Sequence, residues 1–221
     1  MLAHEMMSDV VPSLKPSDSA NRSLNWMNVF KLSHLPVVNE GVFLGLLSDE
    51  IIYDTGIYEE PIEKISDRFT NISVSKYTHV FEIIDICSKY SLTAIPVVGD
   101  DNEYLGIIVL SKLIENISKI INAHVSGGII VVEVHVNDYS LSQIAQIVEG
   151  NDAKILSMYV VSQPDSMRLS ITIKLNTSEL TSIIRTFERY EYDIKATFEE
   201  KDTMKEIIKE RYNSLMSYLN I

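Results

Sequence analysis

The chain has 221 residues, 46% hydrophobic and 23% charged, an ordinary globular composition that excludes a disordered or fibrous protein. With 19 basic against 31 acidic side chains the net charge is −12, so phosphate backbones and anionic lipid are repelled and non-specific nucleic-acid or membrane-surface binding is disfavoured. A single cysteine excludes an internal disulfide and a cysteine-built zinc cluster.

No stretch approaches the ~20 apolar residues needed to cross a bilayer. The longest clean apolar run, Ile129 to Val132, is strand-sized. Met1 to Glu5 lacks a basic segment followed by an apolar core, so no secretory signal is expected and a cytoplasmic protein is.

In chain order, the first feature is an internal repeat. His34-Leu35-Pro36-Val37-Val38 recurs as Ala94-Ile95-Pro96-Val97-Val98, and Phe43-Leu44-Gly45-Leu46-Leu47 recurs as Tyr104-Leu105-Gly106-Ile107-Ile108. The prolines lie 60 residues apart and the glycines 61, so the second copy carries one extra turn residue. Upstream, Ser13-Leu14-Lys15 pairs with Ser73-Val74-Ser75. Between them lie helical stretches: Ala20, Leu24 and Met27 share a face in copy one; Val80, Ile83, Ile84 and Cys87 do so in copy two. Ser17 to Ser19 and Ser75 to Thr78 offer the helix caps. Each copy reads as strand, helix, strand, turn, strand, helix. The Pro-Val-Val strand is short and apolar and is expected to be buried. A ~60-residue unit is marginal alone, so the two copies are expected to share a core.

Ser126-Gly127-Gly128 precedes a strand instead of a helix; it reads as a hinge, not a phosphate loop. Then Ile130, Val132, Val134 and Val136 alternate as a strand, and Leu141, Ile144, Ala145 and Val148 form a helical face opened by Ser140 and Gln143. Leu156, Met158 and Val160 alternate next; Leu169, Ile171, Ile173 and Leu175 follow the turn at 163–166. Leu180, Ile183, Ile184 and Phe187 mark a second helix, and Ile194, Ala196 and Phe198 a fourth strand. The order βαββαβ is the ferredoxin-like split βαβ arrangement. Its open sheet face, with Glu133, His135, Ser170, Thr172 and Lys174, is polar. A terminal amphipathic helix is expected over 201–221, with Met204, Ile207, Ile208, Tyr212, Leu215 and Leu219 on its apolar side, docked on its own chain or on another subunit.

The duplicated Leu35-Pro36-Val37-Val38 and Leu44-Gly45-Leu46-Leu47-Ser48-Asp49 resembles the signature of a CBS domain, here in tandem over residues 1–122, with copies at about 1–60 and 61–122. Residues 126–200 are similar to an ACT domain in strand and helix order. The whole is therefore expected to be an α+β chain, a tandem CBS pair with a C-terminal ACT-like βαββαβ domain. The combination resembles CBS proteins of the acetoin-utilisation type.

That resemblance implies a non-catalytic regulatory protein, often a homodimer, that binds AMP, ATP or S-adenosylmethionine in clefts between the copies. ACT domains imply amino-acid sensing. Ligand-binding CBS copies carry a hydroxyl residue three after the glycine and an aspartate six after it, for phosphate and ribose. Here the hydroxyl position holds Ser48 in copy one and Val109 in copy two; the aspartate position holds Ile51 and Lys112. A missing charged hydrogen bond costs ~1.5–3 kcal/mol, roughly 10–150-fold in affinity. The expected lining is Ser13, Pro36, Val38, Ser48 and Asp49 in one cleft and Ser73, Pro96, Val98, Ser111 and Lys112 in the other. Lys112 can instead meet a phosphate. In the ACT-like half the first turn, Asn137-Asp138-Tyr139-Ser140, lacks the glycine that admits a ligand to the backbone, although Asp138 can accept from an amino group.

The five histidines are dispersed and no pair has zinc spacing. His34 stands where it can line a cleft or cap a strand. Cys87, on an apolar helix face, reads as packing with a raised thiol pKa. Trp26 reads as packed. No nucleophile–base constellation is visible, which argues against an enzyme. Alternatives are a structural oligomerisation module with degenerate clefts and an amino-acid sensor.

Overall fold

The computed structural model describes residues 1–162 and 166–199. The expected terminal helix over 201–221, Glu200, and Gln163, Pro164 and Asp165 of the expected turn lie outside them. The chain divides into two compact units, Met1–Ile117 and Ser118–Ile221.

In the first unit, copy one comprises α1 (Ala20–Phe30), β1 (His34–Asn39), β2 (Val42–Ser48) and α2 (Asp49–Thr55). Copy two comprises β3 (Val74–Ser75), α3 (Val80–Lys89), β4 (Ala94–Val98), β5 (Tyr104–Val109) and α4 (Leu110–Ile120), whose last turn passes into the second unit. The Ser19 side chain caps α1 by accepting from the Arg22 amide at 3.3 Å. The cap of α3 is His79, one residue beyond the expected stretch; its Nδ1 accepts from the Phe81 amide at 3.3 Å.

β1 and β2 form an antiparallel hairpin with Pro36 opposite Leu46, and β4 and β5 repeat it with Pro96 opposite Ile107. Both carry a register shift in the middle of Pro-Val-Val, at Val37/Val38 and Val97/Val98. The strand expected at Ser13 to Lys15 shrinks to one parallel bridge, Leu14 beside Val37; its counterpart β3 pairs with β4 over two residues. The lead-in segments are exchanged. Ser8 and Ile107 bond each other's backbone at 2.8 and 3.1 Å, and Leu46 and Thr70 do so at 2.8 and 3.0 Å. Each copy thus completes the other's hairpin. The repeated glycine follows from this crossing. A Cβ on Gly45 would lie 2.7 Å from the Phe69 Cβ, and one on Gly106 3.2 Å from the Ser8 carbonyl oxygen.

The shared interior comprises two clusters rather than one core. In one, Phe43 and Leu46 of copy one join Ile83, Ile95, Val97 and Leu113 of copy two. In the other, Ala94 and Ile107 of copy two join Leu14, Met27, Leu35 and Ile52 of copy one. The two-way exchange lets units of this size bury enough apolar surface to fold.

In the second unit the elements are β6 (Ile129–His135), α5 (Leu141–Glu149), β7 (Ile155–Ser162), β8 (Arg168–Leu175), α6 (Thr181–Arg189) and β9 (Asp193–Phe198). The sheet is antiparallel with order β7-β8-β6-β9, the ferredoxin-like arrangement expected from βαββαβ. Ile130, Val132 and Ile171 of the strands pack with Ile144, Ile183 and Phe187 of the helices. Gly128, just before β6, is tied by backbone bonds to Leu175 at 2.9 Å and Thr177 at 2.7 Å.

Candidate functional site

The Pro-Val-Val strands place the expected cleft residues. Leu14 bonds the Pro36 carbonyl and the Val38 amide, each at 2.8 Å, which sets Ser13 beside β1; β2 brings Ser48 opposite His34. Ser13, Pro36 and Ser48 therefore gather around one strand. Pro36 is buried, whereas Ser13, Val38 and Ser48 are half-buried. Ser48 is also the N-cap of α2, its Oγ accepting from the Ile51 amide at 3.3 Å. A hydroxyl used this way keeps its proton to donate. Ile51 packs against the core around Leu35 and Ile52, so a carboxylate is replaced by apolar contact.

Asp49 opens α2; its amide donates to the Ser33 carbonyl at 3.0 Å and its Oδ1 accepts from the Glu50 amide at 2.8 Å. It lines a hollow of about 400 Å³ between α1 and α2, shared with Asn25, Asn28, Lys31, Ser33 and Tyr53.

In copy two, Ser73 precedes β3, which aligns Val74 with Val97 and Ser75 with Val98. Pro96 is buried and Val98 half-buried. Val109 stands where Ser48 stands, so α4 starts without a hydroxyl cap. Ser111 is exposed in the first turn. Lys112 is ion-paired to Glu115 at 2.9 Å on the exposed side of α4. A phosphate would have to compete with that carboxylate.

The copies meet at a joint whose polar contacts spacing alone does not reveal. Thr93 Oγ1 accepts from the Ser33 amide at 2.9 Å and lies 3.1 Å from His34 Nδ1. The Thr93 amide also donates to that nitrogen at 3.4 Å. His34 Nδ1 is therefore assigned as an acceptor in a neutral ring, with the Thr93 hydroxyl donating to it. Burial holds the His34 pKa below its usual value, against the opposing pull of Asp49 and Glu50. A paired signal was present in the sequence, Ser33 and Thr93 before the two strands, but only the fold brings them together.

Other expectations resolve simply. Cys87 is buried and burial pushes its thiol pKa up. Trp26 lies half-buried against Phe30, ring centroids 6.0 Å apart. His135 Nδ1 accepts from the Asn137 amide at 3.3 Å, capping the turn after β6. That turn borders a pocket of about 220 Å³ lined by Asp138, Gln143, Glu191 and Tyr192. The Tyr192 hydroxyl donates to Gln143 Oε1 at 2.9 Å, and its pKa is raised by burial first and then by Asp138 and Tyr139. Among the described residues no group of three or more histidine, cysteine or acidic side chains is placed to hold a metal ion. Among them, no helix is long and apolar enough to cross a membrane.

Residues 62–119 match the family model described as the CBS domain. They are copy two, and copy one repeats its hairpin, its mid-strand register shift and its glycine. The curated inosine-5′-monophosphate dehydrogenase of Methanocaldococcus jannaschii is 25% identical over 116 residues, 51% of this chain and 23% of that protein. The chain thus spans less than a quarter of the length of that relative. Among solved structures, a CBS domain pair/ACT domain protein from Thermotoga maritima is 15% identical with a TM-score of 0.47, covering 54% of this chain and 98% of that one. CBSX2, solved in complex with AMP, is 19% identical with a TM-score of 0.47, covering 54% of this chain and 97% of that one. The α+β chain thus carries a CBS-domain match in copy two of its first unit and continues into a ferredoxin-like unit.

Proposed function

We propose that the chain is a non-catalytic regulatory protein of the cytoplasm. Its CBS pair binds an adenosine-containing ligand, of the class of AMP, ATP or S-adenosylmethionine, and self-association or partner contacts relay the bound state. The observation that carries this reading is the exchange of lead-in segments between the copies. Ser13 and Ser73 sit on segments that follow directly from those crossings. A ligand held there and at β1 or β4 acts on both hairpins at once. If it binds one relative placement of the copies more tightly, it shifts the population toward that placement.

Copy one is the better cleft. It retains Ser48, whose hydroxyl proton is available to a phosphate oxygen, while copy two has Val109 there and Lys112 held by Glu115. Neither cleft has the ribose carboxylate, so affinity is expected to be lower than that of a complete site by roughly 10–150-fold.

The test is the melting temperature of the full chain with AMP, ADP, ATP, S-adenosylmethionine, a cyclic dinucleotide and the amino acids. A ligand at 100 times its dissociation constant stabilises by ~2.7 kcal/mol. A shift with an adenosine compound is the expected result; no shift with any of them overturns the reading. Two other readings have an observation each. Ile51 packed against the core and Lys112 tied to Glu115 favour a structural oligomerisation module, for which nothing in the panel binds. The pocket at Asp138, Gln143 and Tyr192 favours an amino-acid sensor, for which only an amino acid shifts the transition.

A further inference from the structure

The sheet of the second unit buries one face against α5 and α6, through Ile130, Val132, Ile171 and Ile173. An antiparallel sheet of this kind ordinarily turns polar side chains to water on its other face, and the alternation of β6 and β8 leads to that expectation. The strand register shows a different face. Pairing sets Ile129 beside Phe198, Val131 beside Ala196 and Thr172, and Thr172 beside Tyr159, with Val161 two residues further along β7. These residues make a diagonal band from the end of β9 to the middle of β7, apolar except at Thr172. The charged residues of the face keep to its remaining corners, Lys174 in one and Glu133 with Asp193 in the other. Phe198, Tyr159 and Val161 are 58%, 53% and 52% exposed. Contiguous apolar surface of this kind, rimmed by polar residues, marks a docking site.

The chain carries a matching cover just beyond β9. Met204, Ile207, Ile208, Tyr212, Leu215 and Leu219 recur at helical spacing in a segment outside the described residues. The sixteen residues from Met204 to Leu219 make a helix of ~24 Å. The band crosses three strand spacings and runs four residues along the strands, a diagonal of ~20 Å. It starts at Phe198, the last residue of β9, where the segment begins. The five residues 199–203 reach up to roughly 16 Å, more than the ~10 Å between packed layers. Charge agrees: residues 201–221 carry four basic and three acidic side chains in a chain of net charge −12.

We propose that residues 203–219 form a helix that lies along this band and covers the open sheet face of its own unit. The short tether decides between this segment and the same segment of a second copy. It holds the helix at an effective concentration of about millimolar over its own sheet, which a second copy does not match in dilute solution. The sheet becomes the middle of three layers, and its exposed aromatic residues are withdrawn from other partners. This inference goes beyond the functional reading above and does not depend on a ligand.

The experiment is thiol labelling of the full chain carrying Thr172→Cys, in the middle of the band. The native Cys87 is buried, and the wild type supplies its background rate. An unchanged melting temperature certifies folding, and Val161→Cys replaces Thr172→Cys if that variant fails. Labelling is expected to speed up at least tenfold when Ile208→Asp breaks the apolar stripe. Ser217→Asp, on the opposite side of the same helix, is expected to leave the rate unchanged, and the rate is expected not to depend on protein concentration. A rate that Ile208→Asp does not alter overturns the proposal, whether it is fast because the face is open or slow because something else covers it. Equal acceleration by Ser217→Asp overturns it too. Protection that is lost on dilution assigns the face to a second copy and likewise overturns it.

Discussion

Copy one and copy two share a backbone plan and differ where the closing helix begins. In both, the first amide of that helix bonds the carbonyl of the residue before the Pro-Val-Val strand: Asp49 to Ser33 and Leu110 to Thr93, each at 3.0 Å. From there they diverge. α2 begins on a serine cap with Ile51 half-buried against the core; α4 begins after a valine, with Lys112 paired on the outside. The same hairpin therefore ends on the hydroxyl of Ser48 in copy one and on Val109 in copy two. Duplication fixes the backbone crossings, and the side chains beyond them are free to specialise or decay.

The largest expected effect tests whether the crossings are equivalent. Gly45→Ala drives a Cβ to 2.7 Å from that of Phe69, whereas Gly106→Ala meets the Ser8 carbonyl oxygen at 3.2 Å. Denaturant titration is expected to show a loss of about 3 kcal/mol for the first and about 1 kcal/mol for the second. Equal losses would mean that the two crossings are equally tight.

Next comes the missing carboxylate. Ile51→Asp with Lys112→Asp places a carboxylate at both proposed anchor positions and is expected to tighten AMP binding by about tenfold or more in equilibrium titration. Unchanged affinity would show that the clefts are closed for a reason other than the anchor.

A smaller effect comes from Tyr104, which stands in copy two where copy one has Phe43. Its hydroxyl is buried with no hydrogen-bond partner among the described residues, and burial drives its pKa strongly upward. Tyr104→Phe makes the copies alike and is expected to stabilise by about 1 kcal/mol. A loss of stability would reveal a partner for the hydroxyl.

The smallest is the joint. The folded-state pKa of His34 is lowered, so the unfolded chain binds the proton more readily, and the contribution is present above pH 6.5, the unperturbed value, and lost as pH falls through the folded value. The melting temperature should drop on acidification below pH 6.5, and less so in His34→Gln. Identical pH profiles would remove His34 from the joint.

How much of this was legible before folding follows the same division. The repeat, its buried Pro-Val-Val strands and the βαββαβ order were readable because hydrophobic period and spacing are properties of the chain itself. The need for Gly45 and Gly106 was not, because the clash each avoids is with the other copy's lead-in, tens of residues away. The Ser33–His34–Thr93 joint was hidden for the same reason. The pairing of Lys112 with Glu115 was within reach, since residues three apart on a helix are neighbours, but the choice between that carboxylate and a phosphate required the fold.

The claim on which the functional account stands is that copy one holds an adenosine ligand through Ser48. Calorimetric titration of AMP into the full chain tests it directly, in the wild type and in Ser48→Ala and Ser111→Ala. The account predicts one equivalent per chain, weakened about tenfold or more by Ser48→Ala and unchanged by Ser111→Ala. No binding heat, or two sites of equal affinity, would contradict it.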